Sequence, residues 1–66
     1  VNAEDLKAGQ EVYVPFYKRF FTLSADPTPH RHSRNVVALH FDGLTQPEYR
    51  LRTADMLLKP TAGQPL

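Results

Sequence analysis

The side chains best suited to chemistry lie mid-chain, where His30, Arg31 and His32 follow Ser24 and Asp26 and precede Ser33. Histidines at i and i+2 share one face of an extended segment and can ligate a metal or act as a base. His40 offers a third imidazole. Zinc, however, wants further ligands and a dry, shaped pocket, and the chain contains no cysteine. A nucleophile, base and acid can be picked from Ser24 or Ser33, a histidine and Asp26. They fall in one polar loop with no glycine-rich oxyanion element, and a triad is defined by geometry that composition does not supply. The expectation is a protein without catalytic activity, metal or cofactor.

A second chemistry is positive charge. Lys18, Arg19, His30, Arg31, His32 and Arg34 are interrupted by one acid, Asp26, and Arg50 and Arg52 follow later. Lys18, Arg19, Arg31 and Arg34 are the candidates to contact phosphates or an acidic protein segment. Exposed tyrosines beside them, Tyr13 and Tyr17, suit stacking on bases. An ordinary solvated loop has the same composition, and Arg50 and Arg52 also serve to blunt an exposed strand against aggregation. The net charge of +1 does not by itself argue for a nucleic acid.

The elements that position these groups read as short strands. Gly9-Gln10 is a turn, after which Val12, Val14 and Phe16 alternate with Glu11, Tyr13, Pro15 and Tyr17, the pattern of a half-buried strand. Pro15 lacks an N–H and belongs at an edge, a bulge or the strand's end. The chain turns near Lys18-Arg19 and resumes as FFTLS, with either Phe20 or Phe21 facing inward. Residues 24–34 hold Pro27 and Pro29 and hardly an apolar side chain, so they read as the longest loop. Residues 35–41 are the clearest strand, with Val37, Leu39 and Phe41 on one side, closed by the Asp42-Gly43 turn and a wide loop. In EYRLR, Tyr49 and Leu51 are expected to point inward, with Arg50 and Arg52 to solvent. Thr53-Ala54-Asp55 supplies capping side chains for one 3₁₀ turn, and Met56-Leu57-Leu58 is the last strand. The expected core is Val12, Val14, Phe20 or Phe21, Leu23, Val37, Leu39, Phe41, Tyr49, Leu51, Met56 and Leu58.

Five short strands without a useful helix manage their edges best by curling into a barrel. A chain of 66 residues is one domain, and a domain of that size buries only about 60% of its unfolded surface. With no cysteine to staple it, the core must be compact. Hydrophobic residues at 41% and charged ones at 23% suit a soluble globular domain and exclude the disordered class. No apolar run approaches the roughly 20 residues that cross a bilayer, and no signal-peptide pattern is visible. The expected organisation is a lead-in, residues 1–8, with Leu6 covering one end of the barrel; the barrel, residues 9–59; and a linker-like tail, residues 60–66. A first residue of Val and that Pro/Gly-rich tail fit a module of a larger protein.

Three segments together carry a family resemblance: GQEVYVPFY at the first strand, VVALHFDG at the third strand and its turn, and YRLRTADMLL at the end. Gly9 before Val12-Tyr13, then Phe16, the Phe20-Phe21 pair, Phe41-Asp42 and a capped 3₁₀ turn resemble the Tudor group of SH3-like barrels. The resemblance covers roughly residues 9–59 through short, tolerant motifs. It implies a five-stranded, all-β, SH3-like barrel of the Tudor type with one 3₁₀ turn before the last strand.

The resemblance also implies a function, the binding of a short peptide with a methylated lysine or arginine, as chromatin readers do. Aromatic faces attract a poorly hydrated methylammonium through their quadrupole and bury its methyl groups. Carried over by position, the cage is Phe16, Phe21 and Phe41, with Tyr13 or Tyr49 as an extra wall and Asp42 as the acid favouring lower methylation states. The implied partner is a modified histone or other protein peptide and the implied location is nuclear, with a monomeric module in a larger chain. This chain departs from the pattern in having no tryptophan and a long loop at residues 24–34. The alternatives are a small barrel binding DNA or RNA through basic loops and exposed tyrosines, and a domain that docks within its own parent chain.

Overall fold

The structure, a computed structural model, describes residues 1–60. Most of the expected tail, from residue 61 on, lies outside the described residues. Among them the architecture is all-β: β1 (Glu11–Val14), β2 (Arg19–Thr22), β3 (Thr28–Pro29), β4 (Val36–Leu39) and β5 (Glu48–Leu51), preceded by a 3₁₀ turn at Ala3–Asp5. Two antiparallel sheets result, β1-β2 and β3-β4-β5.

The first hairpin follows from its alternation. Val12 lies opposite Phe21 and Tyr13 opposite Phe20, and directly opposed residues share a face. Val12, Val14 and Phe21 are buried, so Phe21 is the inward member of the pair. Phe20 packs on Tyr13 outside, edge to face at 5.3 Å. The strand is shorter than expected. Pro15 ends it, and the Tyr17 and Lys18 N–H groups donate back to the Val14 carbonyl at 3.1 and 2.9 Å. Phe16 is thereby lifted off the inward face onto the turn. Lys18 closes the turn with φ of 57°, the left-handed region.

Residues 24–34 are not wholly loop, a correction to the sequence expectation. Thr28 and Pro29 pair with Ala38 and Val37 of β4, and the His30 N–H donates to the Val36 carbonyl at 3.0 Å. Pro29 is compatible because β3 is an edge strand and its ring stands where the N–H would face away from the ladder. The sheets are tied together where Leu23 bridges Phe41, with the Ser24 N–H on the His40 carbonyl at 2.8 Å and the Asp42 N–H on the Thr22 carbonyl at 2.9 Å. Asp42-Gly43 is a turn, as its composition indicates. The Leu44 N–H donates to the Phe41 carbonyl at 3.2 Å and Gly43 takes φ of 87°, the positive angle a type II turn demands at its third position.

β5 is inverted relative to expectation. Its register sets Glu48 against Leu39 and Arg50 against Val37, so the charged residues share the face of the buried pair, while Tyr49 and Leu51 oppose Ala38 and Val36. Tyr49 is 52% and Leu51 59% exposed. Glu48 and Arg50 tolerate the inner position by pairing with each other at 3.0 Å at the half-buried sheet margin.

Two further expectations change. The barrel is not closed: residues 56–58 form no strand, and Val12 meets Leu58 only in an isolated bridge, flanked by Tyr13 N–H to the Leu57 carbonyl at 2.8 Å and Lys59 N–H to the Glu11 carbonyl at 2.9 Å. Leu57 points outward and gives that run no second packed face. The 3₁₀ turn lies at the start of the chain instead of before the last segment, where a single turn carries the Ala54 N–H to the Leu51 carbonyl at 2.9 Å. The reason is burial. Ala3 and Leu6, three residues apart, are both fully enclosed, and the N-terminal turn is held by the Ala3 N–H on the Ala54 carbonyl at 2.9 Å. The resulting core joins Ala3, Leu6, Val12, Val14, Phe21, Leu23, Val37, Leu39, Phe41 and Met56.

Candidate functional site

The aromatic residues form a ladder from surface to core on the first hairpin. Phe16 is 80% exposed at the turn and meets Tyr17 edge to face at 4.9 Å. Tyr17 meets Phe21 in the same geometry at 5.3 Å, and Phe21 leans on Phe41 at 6.3 Å. Each contact lies within the 4.5–7 Å range favoured by ring quadrupoles. The ladder is graded: Phe21 and Phe41 retain only 7% and 3% exposure.

A cation already lies on this surface. Arg19 opposes Val14 and is two residues from Phe21, so strand alternation puts both side chains on one face. Its guanidinium carbon stands 4.6 Å from the Phe21 ring centre, inside the roughly 6 Å reach of a cation–π contact. Among the described residues, none of Lys18, Arg19, Arg31 and Arg34 pairs with a carboxylate.

The remaining expected cage residues lie elsewhere. Tyr13 is on the outer face with Phe20. Tyr49 belongs to the other sheet, where it meets His30 edge to face at 5.0 Å. Asp42 is exposed, and its pairing with Thr22 beside the Leu23–Phe41 bridge gives it, by alternation, the face opposite Phe41. Thus Phe16, Phe21 and Phe41 belong to one aromatic cluster, while Tyr13, Tyr49 and Asp42 do not. Tyr17, placed with the outward residues in the sequence, is the link between Phe16 and Phe21; once Pro15 is read as the strand's end, its place on the turn follows.

The basic candidates divide between two turns. Lys18 and Arg19 are at the β1–β2 turn, and Arg31 and Arg34 lie between β3 and β4. The His32 N–H donates to Nδ1 of His30 at 3.1 Å, which makes that nitrogen the acceptor and organises the HRH segment as a local turn. Ser24 Oγ donates to the His40 carbonyl at 3.0 Å. Among the described residues, no three His, Cys, Asp or Glu side chains gather as a metal site.

No family model, curated protein or solved structure matches this chain.

Proposed function

We propose that the protein is a non-enzymatic recognition module of the small-barrel, Tudor-like type, which binds a short peptide carrying a methylated lysine or arginine on the ladder formed by Phe16, Tyr17 and Phe21. The observation that carries this reading is Arg19 resting 4.6 Å above Phe21. A planar, weakly hydrated cation is what such a surface attracts, and a methylated side chain of a partner has the same chemistry. The barrel assignment is supported by the return of residues 57–59 to β1 and by the Leu23–Phe41 bridge, which bring the margins of the two sheets together. With Asp42 on the face opposite Phe41, this reading gives that carboxylate no part in favouring the lower methylation states. The partner on this reading is a modified histone or other protein tail, met by a monomeric module of a larger nuclear protein.

The test is a titration of the labelled protein with peptide pairs that differ only in methylation. Saturable shifts at Phe16, Tyr17, Arg19 and Phe21 with the methylated member alone are expected. Equal responses to both members, or no saturable binding across a peptide array, would sink the proposal. A second reading is favoured by the exposure of Phe16 next to Lys18 and Arg19: stacking of a single-stranded nucleic acid on the turn. That version requires affinity for an oligonucleotide that falls steeply with salt.

A further inference from the structure

A cleft of about 320 Å³, lined by none of the ladder aromatics, lies where the N-terminal 3₁₀ turn meets the segment between β3 and β4. Its floor is apolar, with Pro27, Pro29 and Val36, and its charged walls are Arg34, Arg52 and Glu4. That volume falls within the range of small-ligand sites. A second cleft shares Glu4 and Arg52 with it, so the pair stands as a ridge between two depressions.

Arg52 is held from several sides. One Nη donates to a Glu4 carboxylate oxygen at 3.2 Å and the other to the Arg34 carbonyl at 3.4 Å. The Arg52 N–H donates to the Asn35 carbonyl at 2.7 Å, and its own carbonyl accepts the Glu4 N–H at 3.0 Å. A guanidinium has five donors, and these contacts use two. Arg34 has no carboxylate partner among the described residues. Two guanidiniums against one carboxylate leave the walls with one positive charge in excess.

We propose that this cleft binds a short acidic peptide, taking one Asp or Glu carboxylate between Arg34 and Arg52 while the neighbouring apolar side chain lies on Pro27, Pro29 and Val36. A carboxylate suits the fork geometry of arginine. It also suits the single excess charge, whereas the negative Glu4 opposes a phosphate dianion more strongly. No aromatic side chain lines the cleft, so bases find nothing to stack on. The docked peptide cannot extend β3 along its whole length, because Pro29 offers no N–H to a new strand.

The experiment is a titration of the full chain with blocked tetrapeptides holding one Asp or Glu next to Leu, Ile or Phe, followed by backbone amide shifts. Parallel titrations use the Asn and Gln counterparts and inorganic phosphate. Saturable shifts at Arg34, Val36 and Arg52 with the carboxylate peptides are expected, and Arg34→Gln should weaken binding about tenfold or more, the loss of one charge-assisted contact. Arg34 is exposed and its carbonyl contact is made by backbone, so the variant keeps the fold, which the same spectra verify. Equal binding of the Asn peptides, an equal response to phosphate, unchanged affinity in Arg34→Gln, or shifts confined to Lys18 and Arg19 would each overturn the assignment. None of the ladder aromatics takes part, so the outcome is independent of the methyl-peptide reading.

Discussion

The two main hairpins of this protein obey the same rule of alternation and use it in opposite ways. In β1–β2 the apolar residues Val12, Val14 and Phe21 face the core. In β4–β5 the first strand does the same through Val37 and Leu39, but its partner gives the inner positions to Glu48 and Arg50 and turns Tyr49 and Leu51 outward. Alternation thus states that two faces exist, and the pairing partner decides which one is inside. β4 must face inward with Leu39, which is fully enclosed, and β5 inherits its orientation through register.

The largest expected effect tests that contrast directly. Phe21→Ala removes a buried ring and should cost about 3–5 kcal/mol, close to the whole stability of a domain this small. Tyr49→Ala and Leu51→Ala, on the outer face of β5, should each cost about 1 kcal/mol or less. Urea unfolding followed by tyrosine fluorescence, or by amide spectra for Tyr49→Ala, measures all three. A Leu51→Ala loss as large as that of Phe21→Ala would mean that the outer face of β5 is covered in solution and the contrast is wrong.

The turns differ as well, and predict effects of opposite sign. The turn between β4 and β5 uses Gly43 at φ of 87°, with open space where a Cβ would stand. Gly43→Ala should therefore destabilise through backbone strain alone, by roughly 1–2 kcal/mol. The β1–β2 turn puts Lys18 at φ of 57°. Lys18→Gly should relieve that strain and, after the entropy cost of glycine, stabilise by about 0.5–1 kcal/mol. Thermal melts at constant salt read both, and a destabilised Lys18→Gly would show that this lysine is not strained.

What was legible in the sequence follows the same division. The β1–β2 hairpin and β4 could be read because alternation and β-favouring side chains agree there with burial. β5 could not, since Tyr49 and Leu51 have as much apolar character as a core pair and only register against β4 excludes them. β3 was hidden by Pro27 and Pro29, which argue for loop everywhere except on an edge. The N-terminal 3₁₀ turn was hidden because Ala3 and Leu6 are too few to show a period. At the candidate site the residue types of the aromatic ladder were legible, and their depth was not: Phe16 falls on the inward parity of β1 until Pro15 ends the strand, and Tyr17 becomes the link only then. At the Arg34–Arg52 cleft the charge of Arg34 was legible as a contact for an acidic partner, but its meeting with Arg52 and Glu4 was not, because the cleft joins segments distant in sequence.

A smaller effect belongs to the charged inner margin of β5. The Glu48–Arg50 pair is half-buried at 3.0 Å, so Glu48→Gln should cost about 1 kcal/mol or less. Replacing both residues with leucine should be neutral or stabilising, since each side chain then joins the face of Leu39 and Val37 without an ion to desolvate. A double variant less stable than Glu48→Gln would assign the pair a role in fixing the β4–β5 register, and amide exchange along β5 would locate it.

The smallest effect on stability should accompany the largest effect on binding. Phe16 stands on the β1–β2 turn with most of its ring in water and touches the ladder through Tyr17 alone. Its removal exposes little and leaves no cavity, so Phe16→Ala should shift stability by less than about 0.5 kcal/mol. On the proposed function the same ring is the outer wall for a methylated side chain, while Phe21 is the inner wall now covered by Arg19. A cation on an aromatic face is worth about 0.5–1 kcal/mol when exposed and about 2 when desolvated. Phe16→Ala should therefore weaken methyl-peptide binding several-fold, and Arg19→Ala should strengthen it by vacating Phe21. Opposite signs from two neighbouring residues on one turn are hard to obtain from a general loss of structure. If both substitutions weaken binding equally, the guanidinium over Phe21 belongs to the fold of the hairpin, and the ladder is packing that reaches the surface without a ligand to meet there.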